Sequence, residues 1–261
     1  MNPALLVSKT GLQAQETKLQ VIANNLANVN TMGFKRDAAV FEDQFYEMAR
    51  MPGSISEGDN RVPSGVQLGT GVRFLATHKQ FTDGSLTASS QQYDVAIQGN
   101  GFFQVLQADG TTAYTRAGAL HPDQDGRLVD ANGLPVQPEI NIPANNTGIS
   151  ISATGQVTAT ISGSSTPEEL GTLQLATFMN SAGLQAIGDN LYLATAASGD
   201  AVVGDPGEPG FGSLKQFALE SSNVKAVEEM VDMISTQRAY EMNTKVLSAA
   251  DDMMRNLAQA A

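Results

Sequence analysis

The chain has no cysteine among its 261 residues. Disulfides, thiolate chemistry and cysteine-ligated zinc are therefore excluded. Histidine is nearly absent: His78 and His121 are the only imidazoles, and neither falls in a metal-ligand spacing such as HExxH. Basic residues are scarce, 15 Lys and Arg against 27 Asp and Glu, for a formal net charge of −12. The field of such a chain repels phosphate backbones and anionic membrane surfaces. Lys35 and Arg36 are adjacent but isolated, so no basic patch offsets that field, and nucleic acid is not an expected partner. No run reaches the roughly 18 apolar residues that a bilayer crossing needs. The opening residues lack the basic-then-apolar order of a cleavable secretory signal, so any export is expected to use another route.

Catalytic patterns are missing too. The stretch from His121 to Asn132 fails as a calcium loop at its first ligand, which is His, and at its twelfth, where a bidentate Glu is required. Gly99-Asn100-Gly101 opens a nucleotide-type glycine motif but ends in Gln104 and precedes a strand pattern. There is no Walker loop and no GxSxG elbow. The carboxylate pairs Glu168/Glu169, Glu228/Glu229 and Asp251/Asp252 are sequence neighbours, so each pair points two ways and reads as a solvated edge. No enzyme activity, metal or cofactor is expected.

What the chain does contain is a seven-residue apolar repeat at each end. Leu5, Leu12, Leu19 and Leu26 are joined by Ile22 and Val29 at intermediate places; Met233, Tyr240, Leu247 and Met254 repeat the spacing near the other terminus. Such a repeat marks a helix seam that other helices must cover. The first helix is expected over about 4–28, with Ser8 and Gln15 leaving its seam half polar. The last is expected from Ser222-Asn223, both good N-cap residues, to about Ala258. Its apolar residues occupy several faces: Val227, Val231 and Ile234; Tyr240, Leu247 and Met254; Met242, Val246, Met253 and Leu257. A helix apolar on several faces is buried on several faces. The heptads alone are compatible with an intramolecular helical hairpin or with packing between subunits.

Between the ends the vocabulary changes. Phe41, Phe45 and Met48, spaced i, i+4 and i+7, predict a short helix over about 38–51, closed by Pro52-Gly53. A polar connector from Ser54 to Thr70 follows. From Val72 to about Phe217 the reading is all β. Phe102–Leu106 and Thr111–Thr115 flank Ala108-Asp109-Gly110 as a hairpin, and Asp125-Gly126 and Asn132-Gly133 enclose a short strand. The expected fold class is α+β: terminal helices pairing as a coiled coil, with a β-rich domain inserted between them. The expected segments are 1–36, 37–71, 72–221 and 222–261.

The run from Ala23 to Arg36, Ala-Asn-Asn-Leu-Ala-Asn-Val-Asn-Thr-Met-Gly-Phe-Lys-Arg, resembles the amino-terminal signature of the bacterial flagellar rod and hook family. Ser222-Asn223-Val224 and the run Met233–Asn243 resemble its carboxyl-terminal counterpart. In the middle, Phe41–Asp43, Pro63–Val72, Asp94–Phe103, Tyr114-Thr115-Arg116 and Gly188–Tyr192 are most similar to the branch that forms the distal rod. The signature positions are Asn24, Asn25, Asn28, Gly33, Phe34, Lys35, Asn223, Gln237, Arg238 and Tyr240. The resemblance implies a structural subunit that polymerises helically into a rigid drive shaft carrying motor torque to the hook. Its assembly residues would be Leu5, Leu12, Leu19, Ile22, Leu26, Val227, Val231, Ile234, Tyr240, Leu247 and Met254. It also implies partners: further copies of itself, other rod proteins, the hook protein, the rings around the rod and the flagellar type III export apparatus. The implied location is the basal body, across the periplasm to the outer membrane, with no insertion into a membrane. A proximal rod or hook subunit is the alternative within the family, and a secreted β-rich enzyme or adhesin the alternative outside it. Rods are stiff and hooks bend, so the connector from about Met51 to Gln67 is expected to wedge between subunits and stiffen the tube.

Overall fold

A computed structural model describes residues 3–52, 55–57, 60–61, 63–162 and 166–260. The chain folds as two compact units, which divide the sequence unevenly. The first takes Met1–Ala27, Asp37–His78 and Lys225–Ala261; the second takes Asn28–Arg36 and Lys79–Val224.

The first unit is built on two helices, α1 (Pro3–Ala27) and α2 (Ala226–Ala260). Proline at the first helical position costs nothing, because that N–H has no helical acceptor. Glu228 and Glu229 in the first turn of α2 complement its positive end. The helices run antiparallel. Asn25 near the end of α1 donates to Glu229 near the start of α2 at 3.3 Å, and Gly11 faces Asn243. In that register Pro3 lies level with Asp251, so residues 252–260 run past the start of α1 by about 13 Å.

The expected helix over 38–51 is replaced by two strands, Asp37–Asp43 and Tyr46–Arg50. Their partners are Val72–Lys79 and Val66–Gly69 respectively, the second in the register Tyr46↔Gly69 and Met48↔Gln67. Pairing over a distance in sequence outweighs the local i, i+4, i+7 spacing. Phe41 meets Phe74 of the partner strand edge-to-face at 5.9 Å, a contact that a helix over this stretch would not make. The connector is therefore partly strand: Val66–Gly69, and a short ladder of Ile55–Glu57 with Asn60–Arg61. Gly53 and Ser54 of the expected turn lie outside the described residues.

The β region also divides elsewhere than expected. Val72–His78 belongs with the helices, and Asn28–Arg36 belongs with the β unit. The second unit centres on a seven-stranded antiparallel sheet. Its order is Gln185–Gly188, Leu191–Leu193, Thr112–Thr115, Phe102–Leu106, Leu175–Thr177 and Val202–Gly204, with Val136–Gln137 also pairing to Phe102–Leu106. The hairpin at Asp109-Gly110 forms as its turn chemistry predicts: Asp109 Oδ1 accepts from Thr111 N at 2.9 Å and Gly110 N donates to Gln107 O. A three-stranded sheet, Asn146–Ile151, Gln156–Ile161 and Glu168–Thr172, packs its alternating Ile149, Ile151, Val157 and Ala159 into the same core as Phe103, Val105 and Leu175. A second cluster gathers Phe102, Tyr114 and Tyr192 with Phe81 and Phe178 in edge-to-face contacts.

Candidate functional site

The surface between α1 and α2 differs from the apolar seam that the heptads predict. The residues of α2 turned toward α1 are Glu229, Thr236, Asn243 and Ala250, a seven-residue repeat of polar and small side chains. On α1 the buried positions are Ser8, Ala14, Ile22 and Asn25. A Cβ added to Gly11 would lie 3.1 Å from Asn243 Nδ2, so the helices approach closely there. Leu5, Leu12, Leu19 and Leu26 are only half-buried, flanking the contact rather than forming it. Of the expected seam on α1, only Ser8 and Ile22 are fully buried.

On α2 the expected assembly stripes lie largely in the open. Val227 is 74% exposed, Val231 60% and Met242 61%; Met230, Ile234, Tyr240, Val246, Met253 and Met254 are also exposed, and Leu247 is half-buried. By helical geometry Val227, Val231 and Ile234 lie about half a turn from Glu229, Thr236 and Asn243, facing away from α1. The helix pair thus buries short polar side chains and presents long apolar ones. An exposed apolar area of this extent marks an interaction surface.

A second cluster lies within the β unit, around a carboxylate that sequence reasoning did not single out. Glu220 is 1% exposed at the end of the strand Ala218–Glu220. Its Oε1 accepts from Lys35 Nζ at 2.6 Å and from Gly84 N at 2.8 Å; its Oε2 accepts from Arg116 Nε at 2.9 Å. Lys35, 0% exposed, also donates to Thr82 O. Arg116 also donates to Gly99 O, Gly101 O and Asp83, and through Nη2 to Glu220 Oε1 at 3.2 Å. Burial pushes the Glu220 carboxyl up, but Arg116 through hydrogen bonds and charge, joined by Lys35, holds it below the ordinary carboxylate range. Burial lowers the Lys35 ammonium, the Arg116 charge adds to that, and Glu220 opposes it.

The turn that follows α1 is fastened by the same strand end. Gly33 N donates to Glu220 O at 2.8 Å, and Arg36 N donates to Asn223 Oδ1 at 2.7 Å. Asn223 Nδ2 in turn donates to Gln80 O and Thr82 Oγ1. Asn223 is therefore not the N-cap of α2, which begins only at Ala226; its side chain is committed to the β unit. Gly33 has φ +72, and a Cβ there would lie 2.8 Å from the Ala117 amide. Only glycine meets both conditions. In the first unit, Asn25 Nδ2 donates to Asp37 O and its Oδ1 accepts from Asp37 N, which closes the chain across the turn.

Three family descriptions match the chain in turn. "Flagella basal body rod protein" covers residues 5–35, "Flagellar hook protein FlgE/F/G D1 domain" 96–159, and "Flagellar basal body rod FlgEFG protein C-terminal" 215–260. The flagellar basal-body rod protein FlgG of Buchnera aphidicola subsp. Acyrthosiphon pisum is 49% identical over 99% of this chain and 100% of its own length. The protein of the same description from Caulobacter vibrioides is 47% identical over 98% of each chain, and that from Bacillus subtilis 34% over 95% of each. The chain belongs to the flagellar basal-body rod protein family.

For this rod-family chain, the signature positions separate into two groups. Asn25, Gly33, Phe34 and Lys35 are buried, Asn28 and Asn223 half-buried, and their contacts lie within the fold. Asn28 Oδ1 accepts from Thr31 Oγ1, tightening the turn. Phe34 lies beneath Lys79 Nζ, 5.3 Å from its ring centre. Asn24, Gln237, Arg238 and Tyr240 instead face solvent. The motif Gly188–Tyr192 is a tight turn with Asp189 and Asn190 both left-handed, and Asn190 Nδ2 donates to Met32 O. Among the described residues no acidic or histidine cluster could hold a metal, and no helix is long and apolar enough to cross a membrane.

The Glu220 cluster has a direct stability consequence. Because the folded carboxyl sits below its unfolded value, its contribution is complete above the ordinary carboxylate range and is lost as pH falls through the folded value. Glu220→Gln leaves Lys35 buried without its anion and Arg116 with only the exposed Asp83, and should cost about 3–5 kcal/mol at neutral pH. The variant should also lose part of the wild-type acid sensitivity. Denaturant unfolding at neutral and acid pH measures both effects.

Proposed function

We propose that this chain is a structural subunit of the flagellar distal rod, polymerising through its terminal helices into a rigid shaft that passes motor torque toward the hook. The single observation that carries the reading is the solvent-facing apolar surface of α2, set on a helix pair whose own contact uses none of it. An intramolecular hairpin gains nothing from Val227, Val231, Ile234 and Met242 on its outer faces. A polymer buries them. The relatives carry rod names over their full lengths, which supports the rod over the hook. No catalytic role is proposed: the buried charges of Lys35, Arg116 and Glu220 are engaged with one another and with backbone carbonyls. The partners are further copies, neighbouring rod proteins and the hook protein, the rings around the shaft, and the type III apparatus that exports the chain. The location is the basal body from periplasm to outer membrane.

The strand pair Tyr46–Arg50 and Val66–Gly69 supports a stiffening role for the connector. Phe45 is 90% exposed, and Tyr46, Met48, Met51, Val66 and Leu68 are exposed with it. A hairpin so apolar on its surface is suited to lie between adjacent subunits and block their sliding.

Two outcomes are expected. Met242→Asp places a carboxylate on a side chain already exposed in the monomer, so helix content by circular dichroism and thermal unfolding should match wild type. Sedimentable polymer and motility should be lost; normal motility would sink the reading. Excising the hairpin, residues 45–69, should leave polymerisation intact and yield curved or flexible rods by electron microscopy, whereas straight, rigid rods would place stiffness elsewhere.

A further inference from the structure

The helix pair carries a groove as well as a patch. Where the start of α1 meets the second half of α2, Leu5, Leu6 and Leu247 line a groove of about 650 Å³. Its rim holds Lys9, Asp252 and the Asp251–Arg255 ion pair at 2.8 Å. At the opposite end of α2, Val227, Met230, Val231 and Ile234 form an exposed apolar patch, beside which Lys225 and Glu228 pair with each other at 2.9 Å on the surface. Between them, on the same outer line of α2, stand Arg238, Glu241 and Lys245, all exposed. Burying those ions would be costly. An apolar contact along this line is thereby confined to the helix ends. The patch cannot reach the groove of its own chain, because Val231 and Leu247 lie about 24 Å apart along one rigid helix.

We infer, resting on the assembly reading above, that the patch of one copy seats in the groove of a second copy. Val227, Val231 and Ile234 meet the leucine floor. The rim signs match the flanks of the patch: Lys9 faces Glu228, and Asp252 faces Lys225. Patch and groove are different surfaces, so the contact is heterologous; each added copy leaves one patch and one groove open, and the contact propagates instead of closing into a dimer. Four side chains fall far short of the roughly 20–30 residues a side of a stable two-body interface. An isolated pair should therefore not persist, and the contact forms only where each copy both gives and receives it.

The chain has no cysteine, so introduced thiols report without background. Full-length protein carrying both Leu6→Cys and Val231→Cys, assembled and then oxidised, should give a ladder of disulfide-linked oligomers on non-reducing electrophoresis. Each single variant should remain monomeric, and so should the double variant below the assembly concentration. Disulfide dimers from Val231→Cys alone would mean patch-on-patch pairing and overturn the inference. Sedimentable polymer without a ladder would overturn this register while leaving the assembly reading standing, whereas wild-type protein that never polymerises would overturn both. A charge-exchange arm is independent of the thiols. Glu228→Lys should lower polymer yield at least ten-fold, and Lys9→Glu in the same chain should restore it; no restoration counts against the pairing.

Discussion

Ser8, Gly11, Ala14, Thr236 and Ala250 are short side chains, and they let α1 and α2 approach closely enough for Gly11 to lie against Asn243. A contact of this kind fixes register by shape and hydrogen bonding rather than by apolar area. Asn25 with Glu229 sets one end of that register. The apolar side chains are then free for other use. Had the leucine and valine stripes been spent between the two helices, the pair would be a more stable monomer and would present no surface for a neighbour. The polarity of the inner seam is what makes the outer faces available.

The β unit solves a different problem with a different force. Lys35 and Glu220 come from opposite ends of the chain, and their pairing brings the turn after α1 onto the last strand before α2. Burying three ions carries a desolvation cost that a bare ion pair rarely recovers. Here Lys35 and Arg116 donate to the Glu220 and Asp83 carboxylates and to the carbonyls of Thr82, Gly99 and Gly101, so the group is satisfied as a network. Gly33 and Asn223 belong to the same arrangement through backbone bonds. The resemblance to a family signature thus has a local physical content: most of these positions hold a turn in place, and only Gln237, Arg238 and Tyr240, with Asn24, are turned outward.

The heptads and the Asp109-Gly110 and Asn132-Gly133 turns were legible as sequence because each is a local property of period or turn chemistry. The same local logic misread Phe41, Phe45 and Met48 as a helix, since their spacing fits one and nothing nearby announces the strand Val72–Lys79 that claims them. It also took Ser222-Asn223 for a helix cap, because the amide of Asn223 can satisfy a backbone group in either place. Glu220 carried no signal beyond being a lone carboxylate; its importance comes from Lys35 and Arg116, which lie 185 and 104 residues away.

By itself the sequence determined that two amphipathic helices enclose a β-rich middle, that no thiol chemistry is available, and which family the chain resembles. It could not say which face of each helix turns inward. Periodicity counts apolar residues and is blind to what covers them, so it left open whether the leucines and valines pack within the chain or between subunits. Only the tertiary structure, by packing Gly11 against Asn243 and burying Thr236 and Ala250, showed that the seam is polar and small and that the apolar stripes face outward. The physical reason is that close approach between two helices requires small side chains, and a helix that gives its small residues to one partner has its large ones left for the next.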